Sequence, residues 1–178
     1  MISHYDLCEL TAEKFLNKSR IVLYEYQSYA TNEFPDVLCF QQGYTKLYEI
    51  KVSRQDFLKD NQKDCRKKYR VKYFPSVDHK KHRVKWESSW YKPVLQEFIQ
   101  QVPHLGRERY YVCPKELIQP DEINNGWGLY WLHGTQLRMK KQSQAFKSNI
   151  YDELRILEHA FRKYACGNGV NVLINKYK

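Results

Sequence analysis

The chain has 178 residues, of which 42% are apolar and 15% aromatic, so it can bury a core and is not a wholly disordered chain. Its net charge of +10 favours a polyanionic partner. No run of about 18 apolar residues and no signal-peptide pattern is present, which excludes a membrane span and a secreted class and predicts a soluble protein of the cytoplasm. Five scattered cysteines without a CxxC pair indicate reduced thiols, as expected for a protein in the cytoplasm.

The first third of the chain predicts a helix, three strands and the start of a second helix. Residues 5–19 have apolar residues on one helical face, and residues 20–27 are β-branched and aromatic, as is typical of a strand. Two apolar runs, 36–40 and 46–52, flank a linker that contains glycine, and this pattern predicts a β-hairpin. Ser53, with an acidic residue three positions later, resembles a capping box and predicts a helix at the end of the second strand.

The rest of the chain predicts a basic middle segment and then strands alternating with helices. Residues 93–102 predict a short helix opened by proline, and residues 109–113 and 128–132 predict strands. Residues 150–164 predict the clearest helix, and residues 170–174 can add an edge strand. This mixed order, with a hairpin near the start, predicts an α/β fold in which a mixed central β-sheet is flanked by helices.

The last predicted helix carries an apolar stripe. Its members recur at intervals of three and four residues and are Ile150, Leu154, Leu157, Phe161 and Tyr164. Asn149 can cap the helix at its start. This spacing predicts the face that packs on the core, with the seam of a homodimer as the alternative.

Charged residues interrupt the two strands of the predicted hairpin. Asp36 opens the first strand, and Glu49 and Lys51 share one face of the second because side chains alternate along a strand. Burying such charges without partners is costly, and a metal ion would compensate for it. Asp36 and Glu49 on neighbouring strands can therefore hold Mg²⁺, while Lys51 orients water or stabilises charge during phosphodiester hydrolysis. The alternative is a surface hairpin with an ordinary Glu/Lys pair.

A basic segment follows the predicted site. Residues 59–85 contain 11 Lys and Arg against three Asp, a net charge of +8, with aromatic residues between them. This composition favours contact with a nucleic-acid backbone through Arg66, Lys67 and Lys68, with a solvated surface as the alternative. The free backbone N–H groups of a helix capped by Ser53 would also favour a phosphate.

The residues around the predicted site resemble a known signature. Pro35-Asp36, followed after twelve residues by Glu49-Ile50-Lys51, resembles the PD-(D/E)XK motif of the restriction-endonuclease-like nuclease superfamily. A Ser-x-x-Asp-Phe sequence directly after the lysine also recurs in part of that superfamily. Further segments that resemble small phage and bacterial members are Glu25, 33–37, 49–54, 56–58, 109–111, 113–114 and 126–129.

The resemblance implies an αβββαβ-type, restriction-endonuclease-like core. It implies a single domain of residues 1–178, with a basic, aromatic insertion at about 59–107. The implied activity is Mg²⁺-dependent hydrolysis of phosphodiester bonds in DNA, with Mn²⁺ able to substitute and endonuclease action favoured. The implied setting is the cytoplasm of a bacterium or of a phage-infected host.

The resemblance also implies roles for individual residues. Asp36, Glu49 and Lys51 are the implied catalytic residues, with Asp36 and Glu49 as metal ligands. Such nucleases often add an acid from the first helix or strand, and Glu25 is the preferred candidate. The other candidates are Glu13 and Glu33. The residues expected to contact the nucleic acid are Ser53, Arg54, Arg66, Lys67, Lys68 and Arg109. A catalytically silent nucleic-acid-binding module with the same fold is the alternative function.

Overall fold

The computed structural model describes residues 2–28, 33–60, 69–73, 96–100, 105–123 and 126–175. The chain divides into two compact units, one of residues 1–66 with 103–178 and the other of residues 67–102. The second unit falls within the segment 59–107, where the sequence predicts an insertion. No helix in the described residues is both long and apolar enough to cross a membrane.

The described residues contain three helices and nine strands. The helices are α1 (His4–Leu16), α2 (Arg54–Asp60) and α3 (Ile150–Ala165). The strands are β1 (Ile21–Tyr24), β2 (Val37–Phe40), β3 (Thr45–Ile50), β4 (Tyr69–Tyr73), β5 (Gln96–Gln100), β6 (Glu108–Pro114), β7 (Gly128–His133), β8 (Gln136–Lys141) and β9 (Val172–Ile174).

Seven strands of the larger unit form one mixed sheet in the order β8-β7-β6-β3-β2-β1-β9. Strands β1, β2 and β3 are antiparallel neighbours, so the predicted hairpin is confirmed. Strand β6 pairs parallel with β3 and with β7, and the outer strands β8 and β9 pair antiparallel with their neighbours. The predicted α/β fold with a mixed sheet and flanking helices is therefore confirmed. In the smaller unit, β4 and β5 form an antiparallel pair.

The two faces of the larger sheet have separate apolar cores. On one face, Phe15 of α1 stacks on Tyr48 of β3 with ring centroids 4.5 Å apart. On the other face, Leu47 of β3 belongs to a core that includes Phe57 of α2 and Ile156 of α3. Successive residues of β3 thus point to opposite cores, as the alternation of a strand requires.

Three elements differ from the sequence-based prediction: the segment 93–102 and the strands β4 and β8, neither of which was predicted. The helix predicted at 93–102 is wrong, because residues 96–100 form β5 and pair with β4. Helix propensity is a weak preference, and cross-strand hydrogen bonding prevails over it in so short a segment. Strand β8 was not predicted, since its residues lie largely exposed at the sheet edge and Leu137 is its buried residue. Its apolar residues are only Leu137 and Met139, too short an alternation to support a prediction.

Helix α3 begins after Asn149 as predicted, but its predicted core face is wrong. Four residues of the apolar stripe are between 42% and 61% exposed; they are Ile150, Leu154, Phe161 and Tyr164. The buried residues of the helix are instead Glu153, Ile156 and Ala160. Glu153 can be buried because its Oε1 accepts hydrogen bonds from the Thr45 hydroxyl (2.6 Å) and the Gly106 N–H (3.0 Å).

Candidate functional site

The register of β1, β2 and β3 brings three carboxylates to one end of the sheet. Tyr24 lies opposite Val37, which lies opposite Tyr48. The next position on each strand is Glu25, Asp36 and Glu49, respectively. The Glu25 N–H donates to the Asp36 carbonyl oxygen at 2.8 Å, so the β1–β2 pairing continues to this point. Strand pairing alone therefore makes Asp36 a neighbour of Glu25, 11 residues away in sequence, and of Glu49, 13 residues away.

The backbone of β3 holds the Asp36 side chain in place. Asp36 Oδ2 accepts a hydrogen bond of 2.7 Å from the Ile50 N–H, and His4 Nε2 lies 3.5 Å from the same oxygen. The Asp36 side chain is 21% exposed, so it is mostly shielded but reachable from solvent. This geometry fixes the Asp36 carboxylate beside the end of β3, between Glu49 in the strand and Lys51 directly after it.

Glu49 and Lys51 form a buried charged group with two acids from α2. Lys51 Nζ lies 3.3 Å from Glu49 Oε2, 3.2 Å from Asp60 Oδ1 and 3.9 Å from Asp56 Oδ2. The side chains of Glu49, Lys51 and Asp60 are 1%, 3% and 0% exposed. The Tyr111 hydroxyl donates to Asp60 Oδ2 at 2.7 Å. Lys51 thus lies among three carboxylates, whose oxygens are the kind of ligand that Mg²⁺ prefers.

Helix α1 adds two side chains that the sequence did not single out. His4 Nδ1 lies 3.0 Å from Glu25 Oε1, and the Cys8 thiol donates to the same oxygen at 3.0 Å. Cys8 Sγ and His4 Nδ1 are 3.6 Å apart. His4 and Cys8 are four residues apart and so share one face of the helix. This four-residue spacing was the signal in the sequence that could have pointed to His4 and Cys8, but it indicates a site only once the helix is known to pack beside Glu25.

Shared electrostatics link the α1 side chains to the carboxylates. A hydrogen bond to Asp36 raises the pKa of His4, and this effect outweighs the burial that lowers it. Burial raises the pKa of the Cys8 thiol, and the bond to Glu25 and the charges of Asp36 and Glu49 raise it further. One thiol is therefore within electrostatic reach of all three carboxylates.

Glu25 has an unusual backbone conformation at this site. Its φ angle of 48° lies in the left-handed region, which a residue with a side chain rarely adopts. That conformation costs about 1–2 kcal/mol. Strain of this kind is concentrated at functional sites, where the surrounding structure holds it in place. Of the other two candidate acids, Glu13 is exposed on α1, and Glu33 is buried and accepts from the Leu105 N–H at 3.0 Å.

The structure places the expected phosphate contacts Ser53 and Arg54 at the start of α2. Ser53 Oγ accepts from the Asp56 N–H at 3.2 Å, so the predicted helix start is confirmed. The Arg54 guanidinium binds both carboxylate oxygens of Glu122 and donates to the Leu117 carbonyl oxygen at 3.2 Å. This pairing lowers the pKa of Glu122 to about 2. Arg54 thus has a carboxylate partner where a phosphate contact was expected.

Arg109 lies inside the larger unit rather than on its surface. The residue is 2% exposed, and its guanidinium carbon lies 5.0 Å from the centre of the Phe146 ring and 5.7 Å from that of Trp127. Its Nη1 is 3.8 Å from Glu33 Oε1, and its Nε donates to the Gly106 carbonyl oxygen at 3.3 Å. These contacts account for a buried charge without a phosphate. The remaining expected contacts, Arg66, Lys67 and Lys68, lie outside the described residues.

Comparison with known proteins gives a likeness of fold. No protein-family model matches the chain, and no curated protein matches it. Among solved structures, the chain is similar to the SPO1766 protein of unknown function from Silicibacter pomeroyi, with a TM-score of 0.55 and 11% sequence identity. The similarity covers 93% of this chain and 91% of that chain. At this identity the likeness extends to the α/β arrangement and says nothing of activity.

Proposed function

We propose that the chain is a metal-dependent nuclease that hydrolyses phosphodiester bonds of DNA. The observation that carries this proposal is the strand register that brings Asp36 beside Glu49, with Lys51 Nζ 3.3 Å from the Glu49 carboxylate. An acid–acid–lysine group at the end of a hairpin is what the PD-(D/E)XK resemblance implies. Glu25, at the end of the neighbouring strand, supplies the further acid that such nucleases often have.

The order of elements supports a restriction-endonuclease-like core. In the larger unit, α1, β1, β2, β3, α2 and β6 follow one another in the αβββαβ order, with β6 returning parallel to β3. Helix α2 directly follows the Glu49–Lys51 segment and contributes Asp60 to it. We therefore propose this core as the finer description of the α/β fold.

The donor set fits a hard divalent cation. Asp36 and Glu49 offer carboxylate oxygens, which Mg²⁺ prefers, and Mn²⁺ accepts the same ligands. The carboxylates Asp56 and Asp60 around Lys51 add negative charge close by. When bound, the ion would supply Lewis-acid polarisation of the phosphoryl group and an activated water.

The protein side chains have distinct roles in this proposal. The Ile50 N–H fixes Asp36 through its 2.7 Å hydrogen bond, so this ligand is oriented before a cation arrives. Lys51 balances Glu49 in the resting state and provides a positive charge for the developing negative charge of the transition state. DNA binding would depend on the basic segment 59–85, with Arg66, Lys67 and Lys68 as the proposed contacts.

A catalytically silent nucleic-acid-binding module is the second candidate. The burial of Glu49 and Lys51, at 1% and 2% exposed, favours it, because a phosphodiester must reach these groups to be cut. The enzyme and the silent module both predict DNA binding that weakens with salt. Only the enzyme predicts metal-dependent cutting.

The test is a cleavage assay on supercoiled plasmid, linear duplex and single-stranded DNA with Mg²⁺, Mn²⁺ or EDTA. Wild type is compared with Glu49→Gln, which keeps the shape of the side chain, and with Glu108→Gln as the matched control on the neighbouring strand. We expect cutting that needs metal, is lost in Glu49→Gln and is kept in the control. Equal cutting by Glu49→Gln would refute the assigned site, and DNA binding without cutting by any variant would establish the silent module.

We also propose that the chain pairs as a homodimer through the exposed stripe of α3. The stripe alternates spacings of four and three residues, which is the spacing of a coiled-coil seam. The first turn of α3 contains the partly exposed Asp152 and the last turn is basic (Arg162, Lys163), so antiparallel pairing places opposite charges together. Analytical ultracentrifugation of the wild type should show a dimer. Leu154→Glu should dissociate this dimer, whereas Arg155→Glu, at an exposed position outside the stripe, should leave it intact. A wild-type monomer at high concentration would disprove the pairing.

A further inference from the structure

His4, Cys8 and Glu25 together have the composition of a transition-metal site. One imidazole nitrogen, one sulfur and one carboxylate oxygen from these residues all lie within 4.8 Å of one another. Imidazole and thiolate ligands suit Zn²⁺, whereas Mg²⁺ is bound through oxygen. We propose that these three residues bind a Zn²⁺-class ion. This site differs in chemistry from the Asp36–Glu49 pair and does not depend on the proposed nuclease activity.

The separations between the donor atoms match a tetrahedral ion. Zinc–ligand bonds of about 2.0–2.3 Å at tetrahedral angles place the ligand atoms about 3.3–3.6 Å apart. In the structure, Glu25 Oε1 is 3.0 Å from His4 Nδ1 and 3.0 Å from Cys8 Sγ, and these last two atoms are 3.6 Å apart. Shifts of a few tenths of an ångström would complete the three bonds. Side-chain rotation is enough for shifts of this size.

A carboxylate orients the histidine as in many zinc sites. His4 presents Nδ1 to the cluster, while its Nε2 lies 3.5 Å from Asp36 Oδ2. A metal-binding histidine usually donates its second ring N–H to a carboxylate, which fixes the ring and strengthens the ligand. Asp36 is itself held by the Ile50 N–H, so this support is anchored in β3.

Helix α1 positions two of the three ligands before any ion is bound. A capping box between Ser3 and Asp6 fixes the first turn, which contains His4. Cys8 lies one turn later and is completely buried, whereas the side chains of His4 and Glu25 are 37% and 32% exposed. The ligands therefore close the inner side of the site and leave an outer side open to water. Three protein ligands with an open position are the pattern of catalytic rather than structural zinc sites.

The test is a titration of the purified, fully reduced chain with Co²⁺ in the absence of DNA, followed by competition with Zn²⁺. A Co²⁺–thiolate bond has a strong charge-transfer absorption, which Zn²⁺ should remove as it displaces the cobalt. We expect one equivalent to bind with this band. Cys8→Ser and His4→Gln should each weaken binding by at least about 100-fold, since loss of an outer hydrogen-bonding partner alone costs about 10–100-fold.

Three other cysteine variants are the controls. Cys113→Ser removes another buried thiol, Cys166→Ser removes the exposed one, and Cys65→Ser removes the thiol in the basic segment. All three should keep the band. No thiolate band in wild type, an unchanged band in Cys8→Ser, or loss of the band in Cys65→Ser would each overturn the proposed site. Because His4→Gln leaves the Cys8 side chain in place, it repeats the test if Cys8→Ser fails to fold.

Discussion

Replacing Lys51 with methionine tests whether buried charge organises the site. The substitution keeps an unbranched side chain of similar length but removes the ammonium group that lies within 3.3 Å of both Glu49 and Asp60. These carboxylates are 1% and 0% exposed, so water cannot replace the lost partner. Removing one member of a buried ion pair costs about 3–5 kcal/mol. We therefore expect a loss of that size in the free energy of unfolding of Lys51→Met.

The same substitution at Lys46, on strand β3 directly before the Lys51 segment, is the matched control. Lys46 Nζ lies 2.8 Å from Glu108 Oε2, but these side chains are 19% and 21% exposed. Partial exposure allows water to solvate the remaining carboxylate, so we expect a loss of about 1 kcal/mol for Lys46→Met. The two variants differ mainly in the burial of the ion pair, because both changes remove an ammonium group that is paired with a carboxylate.

The assay is urea unfolding followed by circular dichroism in EDTA. With a denaturant slope of about 2 kcal/mol per molar urea, the midpoint should fall by about 1.5–2.5 M in Lys51→Met and by about 0.5 M in Lys46→Met. Added Mg²⁺ should restore part of the first loss, since a cation bound only by the folded chain stabilises it. Equal losses in the two variants would refute the idea that Lys51 compensates buried carboxylates.

Two further predictions concern strand β6 and its neighbours. In Gly128→Ala the new Cβ would collide with the Tyr110 ring, so we expect the free energy of unfolding to fall by about 1–3 kcal/mol in thermal unfolding. In Gly169→Ala the new Cβ meets nothing within 4 Å, so the loss should be much smaller. Burial raises the pKa of Glu108, but hydrogen bonds from Lys46 and Tyr110 lower it more, so it lies below its ordinary value of 4.5. This carboxylate therefore stabilises the fold above pH 4.5 and ceases to do so as the pH falls through the folded-state pKa. Unfolding measured from pH 6 to about pH 3 should show a shallower loss in Glu108→Gln, and an unchanged slope would contradict the assignment.

Local pattern was enough to predict the hairpin and the acids that it carries. The linker between β2 and β3 contains Gly43, whose φ of 86° suits a tight turn. Side chains alternate between the two faces of a strand, so once two strands pair across such a turn, it is fixed which residues share a face. Asp36, Glu49 and Lys51 were therefore accessible from sequence, because their proximity depends on short-range register.

Residues whose position depends on long-range packing could not be predicted in this way. Asp60 reaches Lys51 only because α2 packs against the sheet, and Cys8 reaches Glu25 only because α1 packs on the opposite face. For α3, the periodicity of the apolar stripe predicts a helix correctly, but it cannot say which side of the helix faces the sheet. Arg109 was expected at a phosphate, but two aromatic rings and a carboxylate enclose it.

Asp36 contacts both proposed metal sites, so its substitution can be used to distinguish the test of one site from the test of the other. Its Oδ2 lies 3.5 Å from His4 Nε2, and its carboxylate is also a proposed Mg²⁺ ligand beside Glu49. Asp36→Asn should therefore weaken Co²⁺ binding by about 10–100-fold through His4 and also abolish cleavage. Glu49→Gln should affect cleavage alone, because it is not among the zinc ligands. If Asp36→Asn leaves Co²⁺ affinity unchanged while Cys8→Ser lowers it, the zinc site stands without support from Asp36.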